Sequence, residues 1–167
     1  MIKKICFLVC CLFALVIPAA AEKTPETFMN TLQNHSEALL KATHKYVDFI
    51  NRIGKGEIFA QMDEAATVIA PECKKIFNGH LFAKNREDFV TDLLSVYKNH
   101  GCWQIIPIEV VRAPSDNIVI LRLLIETENF GTNTAIVILR YDSNYLITEI
   151  NEVFSPVKGS YDFEGNK

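Results

Sequence analysis

"YLITEINEVFS", residues 145–155, decides how the second half of the chain is read. Its β-branched and aromatic residues, interleaved with polar ones, predict a β-strand. Tyr145, Ile147, Glu149, Asn151 and Val153 would share one face, and Leu146, Thr148, Ile150, Glu152 and Phe154 the other. Each face carries an acid, yet one face of a strand in a small domain is normally dry. Which acid turns inward determines where a polar group enters the interior.

Working outward, residues 103–112, 118–126 and 132–141 are similarly rich in Ile, Val and Leu. The segments between them hold Pro114-Ser115-Asp116, Asn129-Phe130-Gly131 and Asp142-Ser143-Asn144, all turn chemistry. Connections this short predict antiparallel neighbours. A three-residue turn at 142–144 would set Val137 opposite Glu149 and Ala135 opposite Asn151.

The first half is helical in pattern. Thr24-Pro25-Glu26 supplies an N-cap, a first-position proline and an early acid. Phe28, Leu32, His35, Leu39, Ala42, Tyr46, Phe49 and Ile53 then recur at steps of three and four, one face of a long helix that Gly54 and Gly56 end. Phe59, Met62, Ala66 and Ile69 predict a second, shorter helix closed by Pro71. Asn78-Gly79 between short apolar runs predicts a hairpin. Asn85, with Asp88 three residues on, caps a third helix whose stripe is Phe89, Leu93, Val96 and His100, and Gly101 stops it. Helices first and strands later give an α+β class.

The chain opens MIKK, followed by thirteen apolar or cysteine residues (5–17), Pro18 and three alanines. These are the parts of a secretory signal peptide, expected at 1–21 with cleavage before Glu22. An uncleaved anchor is the alternative, although the run is shorter than the ~20 residues of a membrane span. The expected product is an exported, periplasmic or secreted domain over 22–156, with an aperiodic tail over 157–167. Removing Lys3 and Lys4 leaves 15 basic and 20 acidic residues, a net charge of −5. That excess of acid speaks against nucleic acid or an anionic membrane as partner. Cys73 and Cys102 remain after cleavage. In an exported chain they form either a disulfide or two separate buried thiols.

The order of elements resembles the nuclear transport factor 2-like, or SnoaL-like, superfamily over roughly residues 26–155. The pieces that carry the resemblance are "GKGEIF" before the second helix, "NG" at Asn78-Gly79, "NREDF" opening the third helix and "LITEINEVFS" as last strand. The resemblance implies a cone: three N-terminal helices packed on a bent, mostly antiparallel sheet, with a cavity at the open end. It also implies a range of functions, from isomerases and cyclases to proteins without catalysis, whose polar pocket residues differ from branch to branch. It places Ile147 against the helices, which by strand parity turns Glu149 and Asn151 toward the cavity and Glu152 toward solvent. The alternative is an outward Glu149 paired with Arg140 or Arg122.

The pocket candidates are therefore His35, Tyr46, Trp103, Ala135, Glu149 and Asn151. An inward Glu149 would have to pair, hydrogen-bond or protonate, because a bare buried carboxylate is prohibitively costly. Tyr46 resembles the tyrosine that donates to an enolate oxygen in the isomerase branch. The indole N–H of Trp103 needs a partner if buried, and Ala135 leaves room for a ligand. His35, His44, His80 and His100 lack metal-ligand spacing, and no GxSxG elbow or phosphate-binding glycine loop is present. No metal or cofactor is expected. The expected function is binding of a small apolar molecule or a protein partner. The alternatives are an isomerase- or cyclase-like enzyme with a pocket carboxylate as base, and a scaffold that homodimerises through an Ile- and Val-rich outer sheet face.

Overall fold

The computed structural model describes residues 25–57 and 61–156. The expected signal peptide, the tail and Phe59 lie outside the described residues. Helix α1 spans Pro25–Gly54. Leu39, Tyr46, Phe49 and Ile53 of the expected stripe are buried, and Val47 and Ile50 widen it. Gly56, at φ 82°, turns the chain out of the helix and lets the Glu57 N–H reach the Arg52 carbonyl at 3.0 Å.

The second helix is shorter than predicted. Helix α2 is only Gln61–Ala65, and Met62 is exposed. Ile69 instead opens strand β1, Ile69–Phe77. The strand burying Ile69 completely prevails over the helical spacing. Pro71 is tolerated because it falls in an irregular stretch of pairing between Ile69 and Lys74, where no ladder hydrogen bond is needed from it.

Asn78 (φ 46°) and Gly79 (φ 82°) make the two-residue turn into β2, His80–Ala83. Asn85 Oδ1 then accepts the Asp88 N–H at 2.8 Å, and Asp88 Oδ2 accepts the Lys84 N–H at 3.1 Å. This cap starts α3, Arg86–His100, which stops at Gly101 with φ 74°. Strands β3 (Trp103–Ala113), β4 (Ile118–Thr127), β5 (Gly131–Tyr141) and β6 (Ile147–Pro156) complete the chain.

The sheet order is β2-β1-β6-β5-β4-β3, antiparallel throughout except for β1 against β6. The α+β class and mostly antiparallel sheet follow the expectation. Two helices precede the first hairpin and α3 follows it. Val119, Leu121, Leu123, Val137 and Leu139 bury one sheet face together with Phe49, Ile53, Phe89 and Leu93 of the helices. The other face exposes Ile106, Ile120, Ile136 and Val153. Among the described residues no helix is long and apolar enough to cross a membrane.

Strand β6 departs from simple alternation. Tyr141 pairs with Ile147 but Arg140 pairs with Glu149, so Thr148 is an extra residue in β6. Its hydroxyl donates to the Arg140 carbonyl at 3.2 Å. Such a bulge reverses the facing of all that follows. Ile147 is inward as expected, but so are Ile150 and Glu152, with Phe154 packed against the core, while Glu149, Asn151 and Val153 turn out. The connection before β6 is also longer than the predicted three-residue turn, residues 142–146, so Val137 faces Glu152 and Ala135 faces Phe154, three positions from the predicted register: two from the turn and one from the bulge.

Gly54 positions the first residue of β3. A Cβ there would collide with the Trp103 carbonyl oxygen and meet its ring carbon Cδ2 at 2.8 Å. Gly54→Ala should therefore destabilise the protein by about 1–3 kcal/mol through forced movement of Trp103. Equilibrium urea unfolding, followed by the fluorescence of this single tryptophan, measures it. An unchanged midpoint would mean that the helix end yields without cost.

Candidate functional site

A cavity of about 310 Å³ lies between α1, α3 and the inner face of the sheet. Ile50, Leu93, Val96, Ile105, Ile125 and Val137 make its walls apolar. Phe77, Phe82 and Phe154 stand together at one side, Phe77 at 5.4 Å from Phe82 and 5.9 Å from Phe154 between ring centroids. His100 and Phe130 form a second edge-to-face pair on the lining, at 4.6 Å.

Within these walls sits a charged cluster drawn from three elements. Cys73, Lys75 and Phe77 share one side of β1, which points Lys75 inward at 8% exposure. Asp92 lies three residues after Phe89 and four before Val96 on α3, so the helix presents it on the same side. Glu152 arrives from β6 by virtue of the Thr148 bulge. Lys75 Nζ donates to Asp92 Oδ2 at 2.7 Å and stands 4.0 Å from Glu152 Oε2. It also lies 5.8–6.0 Å from the ring centroids of Phe77, Phe82 and Phe89, within cation–π range. The hairpin turn pins the strand that carries the acid: Asn78 N–H donates to the Glu152 carbonyl at 2.8 Å, and Asn78 Oδ1 accepts from the Phe154 N–H at 2.9 Å.

Burial raises the Glu152 carboxyl above its ordinary value; the nearby Lys75 charge opposes that rise and Asp92 adds to it. Burial also raises the Tyr46 phenol well above its usual range, with the Glu152 charge adding to the effect. Glu152 thus holds its proton more tightly folded than unfolded. Its contribution to stability must fall as pH rises from about 4.5 through the higher folded value. Glu152→Gln, which mimics the protonated form, should accordingly stabilise the protein at neutral pH, with the gain vanishing below the ordinary carboxylate value. Urea unfolding across pH 4–8 checks this, and a gap that does not vary with pH would contradict it.

The expected site residues separate into four groups. Tyr46 and Trp103 line the cavity. Ala135 is inward and buried in the core, opposite Phe154, but does not line the cavity. His35 is held elsewhere, 2.9 Å from Tyr145 Oη and 2.7 Å from Asn117 Oδ1, clamping α1 to two turns whose residues have positive φ. Glu149 and Asn151 are corrected to the outer face by the Thr148 bulge. Glu149 accepts from Arg140 Nε at 3.2 Å, the alternative weighed from the sequence, and Glu152 takes the inward place. Because that pair is exposed, Glu149→Gln should change stability by less than ~0.5 kcal/mol in the same unfolding assay.

The disulfide expectation is also corrected: Cys73 is buried, Cys102 is exposed, and both are free thiols. β1 and β3 are separated by three intervening strands, roughly 19 Å of sheet, far beyond disulfide reach. Burial pushes the Cys73 thiol up to about 12. Among the described residues no three His, Cys, Asp or Glu side chains gather closely enough to hold a metal ion.

No protein-family profile and no curated protein sequence matches the chain. Solved structures do. A nuclear transport factor 2-like protein of unknown function from Exiguobacterium sp. 255-15 superposes with a TM-score of 0.55 at 12% identity, over 70% of this chain and 99% of that one. A SnoaL-like family protein from Agrobacterium tumefaciens str. C58 gives 0.59 at 5% identity, over 70% and 96%. The chain has the nuclear transport factor 2-like fold. An epoxide hydrolase from M. tuberculosis shares it, with a TM-score of 0.57 at 9% identity over 72% of this chain and 84% of that one. Since enzymes and proteins of unassigned function alike carry this nuclear transport factor 2-like fold, the architecture selects no reaction, and function has to be argued from the cavity.

Proposed function

We propose that this is an exported pocket protein that binds a small, largely apolar molecule with one polar end. The observation that carries the reading is the cavity: apolar and aromatic walls around a few buried polar groups. Its volume of about 310 Å³ lies within the range of small-molecule sites. Filling it with hydrocarbon buries the ligand's apolar surface at ~25 cal/mol per Å², and the polar groups orient it.

Organic extraction of the purified protein, followed by mass spectrometry, should recover a stoichiometric small molecule. Ser95→Trp places a large ring on an exposed part of the lining and should abolish its recovery without a loss of stability. Equal recovery from both proteins would place the molecule outside the cavity.

A second reading is supported by Glu152 and Tyr46. A carboxyl whose proton affinity is raised by burial is suited to proton transfer with a bound substrate, and a phenol can donate to a developing oxyanion. Proton transfer in an isomerase- or cyclase-like reaction would then depend on Glu152 rather than Glu149. Separately, the exposed Ile106, Ile136 and Val153 support pairing of two copies through the outer sheet face, which sedimentation equilibrium tests.

A further inference from the structure

We propose that the molecule bound in the cavity is neutral and carries an oxygen acceptor, a ketone or an alcohol, fixed by a hydrogen bond from Trp103 Nε1–H. This names the ligand chemistry of the site and rests on the binding reading above. Trp103 lines the cavity at 7% exposure, and its Nε1 is buried with no acceptor among the described residues. The side chain is held in place: its backbone and ring abut Gly54, and Asn51 grips the strand two residues on, at Ile105. The indole therefore cannot swing out to find water without disturbing the end of α1. An indole nitrogen is a donor only, so what satisfies it must bring a lone pair.

The rest of the cavity restricts the charge of that group. Lys75 is the one basic side chain of the cluster and is already engaged by Asp92, with Glu152 close by. A ligand carboxylate would add a third acid around a single ammonium. A ligand ammonium is itself a donor and would leave the indole N–H as it is. A neutral oxygen meets the need without adding charge to a buried site.

Isothermal titration of the purified protein with three fused bicyclic probes tests this: 2-decalone, 2-aminodecalin and decalin-2-carboxylate. The ketone should bind about tenfold more tightly than either charged probe. Trp103→Phe, which keeps a ring but removes the N–H, should weaken the ketone about tenfold and the amine by a smaller factor, because only the ketone loses a hydrogen bond. The chain has a single tryptophan, so wild-type protein gives one indole N–H resonance in a nitrogen–proton correlation spectrum. That resonance should move downfield with the ketone, a readout that stands even if the variant does not fold. Tightest binding of the amine or carboxylate, or a resonance that ignores the ketone, would overturn the inference while leaving the pocket reading intact. Failure of all three probes to bind would overturn the pocket reading and this inference with it.

Discussion

Lys75→Met should destabilise the folded protein by about 3–5 kcal/mol at neutral pH. Methionine preserves much of the buried stem, so the loss is electrical rather than steric. Lys75 is the ammonium around which two acids are taken out of water; the Asp92 and Glu152 side chains are only 17% and 15% exposed. Without it the folded state must hold an uncompensated carboxylate or bind a proton. Three phenyl faces also lose their cation.

The effect should shrink as the pH is lowered and the Glu152 carboxyl is neutralised. Adding Asp92→Leu and Glu152→Leu to the variant should restore stability to within about 1 kcal/mol of wild type, or exceed it, because an apolar cluster needs no compensation. Urea unfolding of the single and triple variants makes the comparison. A single variant as stable as wild type would mean that water reaches the acids freely. A triple variant that unfolds like the single one would assign Lys75's role to packing.

The cluster shows where a sequence can and cannot be read by periodicity. α1, the Asn78-Gly79 hairpin and the Asn85 cap are local events, specified by residues within a turn or two of one another, and each lies close to its expected place. Tyr46 and Trp103 were legible as cavity residues because a long helix and a strand start keep their facing. β6 was not legible in the same way. Its facing depends on one extra residue, Thr148, and the choice is made by its neighbours: Ile147 N–H donates to the Val68 carbonyl while Ile150 must also be buried. Two inward residues separated by three positions cannot both satisfy a period of two.

Asp92 and Lys75 were detectable from their spacing to Phe89 and Phe77, yet each reads as an ordinary solvated charge on its own element. Only the tertiary arrangement reveals that they meet. His35 illustrates the converse. A histidine on an apolar stripe was legible as inward-facing, but its partners Asn117 and Tyr145 lie 82 and 110 residues away.

Asn51→Leu should cost about 2–3 kcal/mol and weaken ligand binding, although Asn51 does not line the cavity. Its side chain acts as a strand partner for the edge of the sheet. Oδ1 accepts the Ile105 N–H at 2.7 Å and Nδ2 donates to the Ile105 carbonyl at 3.0 Å. β3 has no neighbouring strand on that side, so these two backbone groups depend on the helix for satisfaction. Leucine keeps the branched shape, although its methyl groups are bulkier, but would leave a partly buried donor and acceptor without partners, each of them costing ~1–3 kcal/mol where water is excluded. Partial access to water at this part-buried site keeps the total near the lower end. The functional consequence follows from position: Ile105 lines the cavity, and Trp103 is two residues before it on the same face. Loosening β3 here should broaden the indole N–H resonance and lower 2-decalone affinity several-fold, without any change to a lining side chain. Unfolding midpoints, that resonance and the titration together test the link. If stability falls while ketone affinity and the indole resonance stay as in wild type, then Gly54 and the β4 ladder suffice to hold Trp103, and Asn51 serves the edge of the sheet alone.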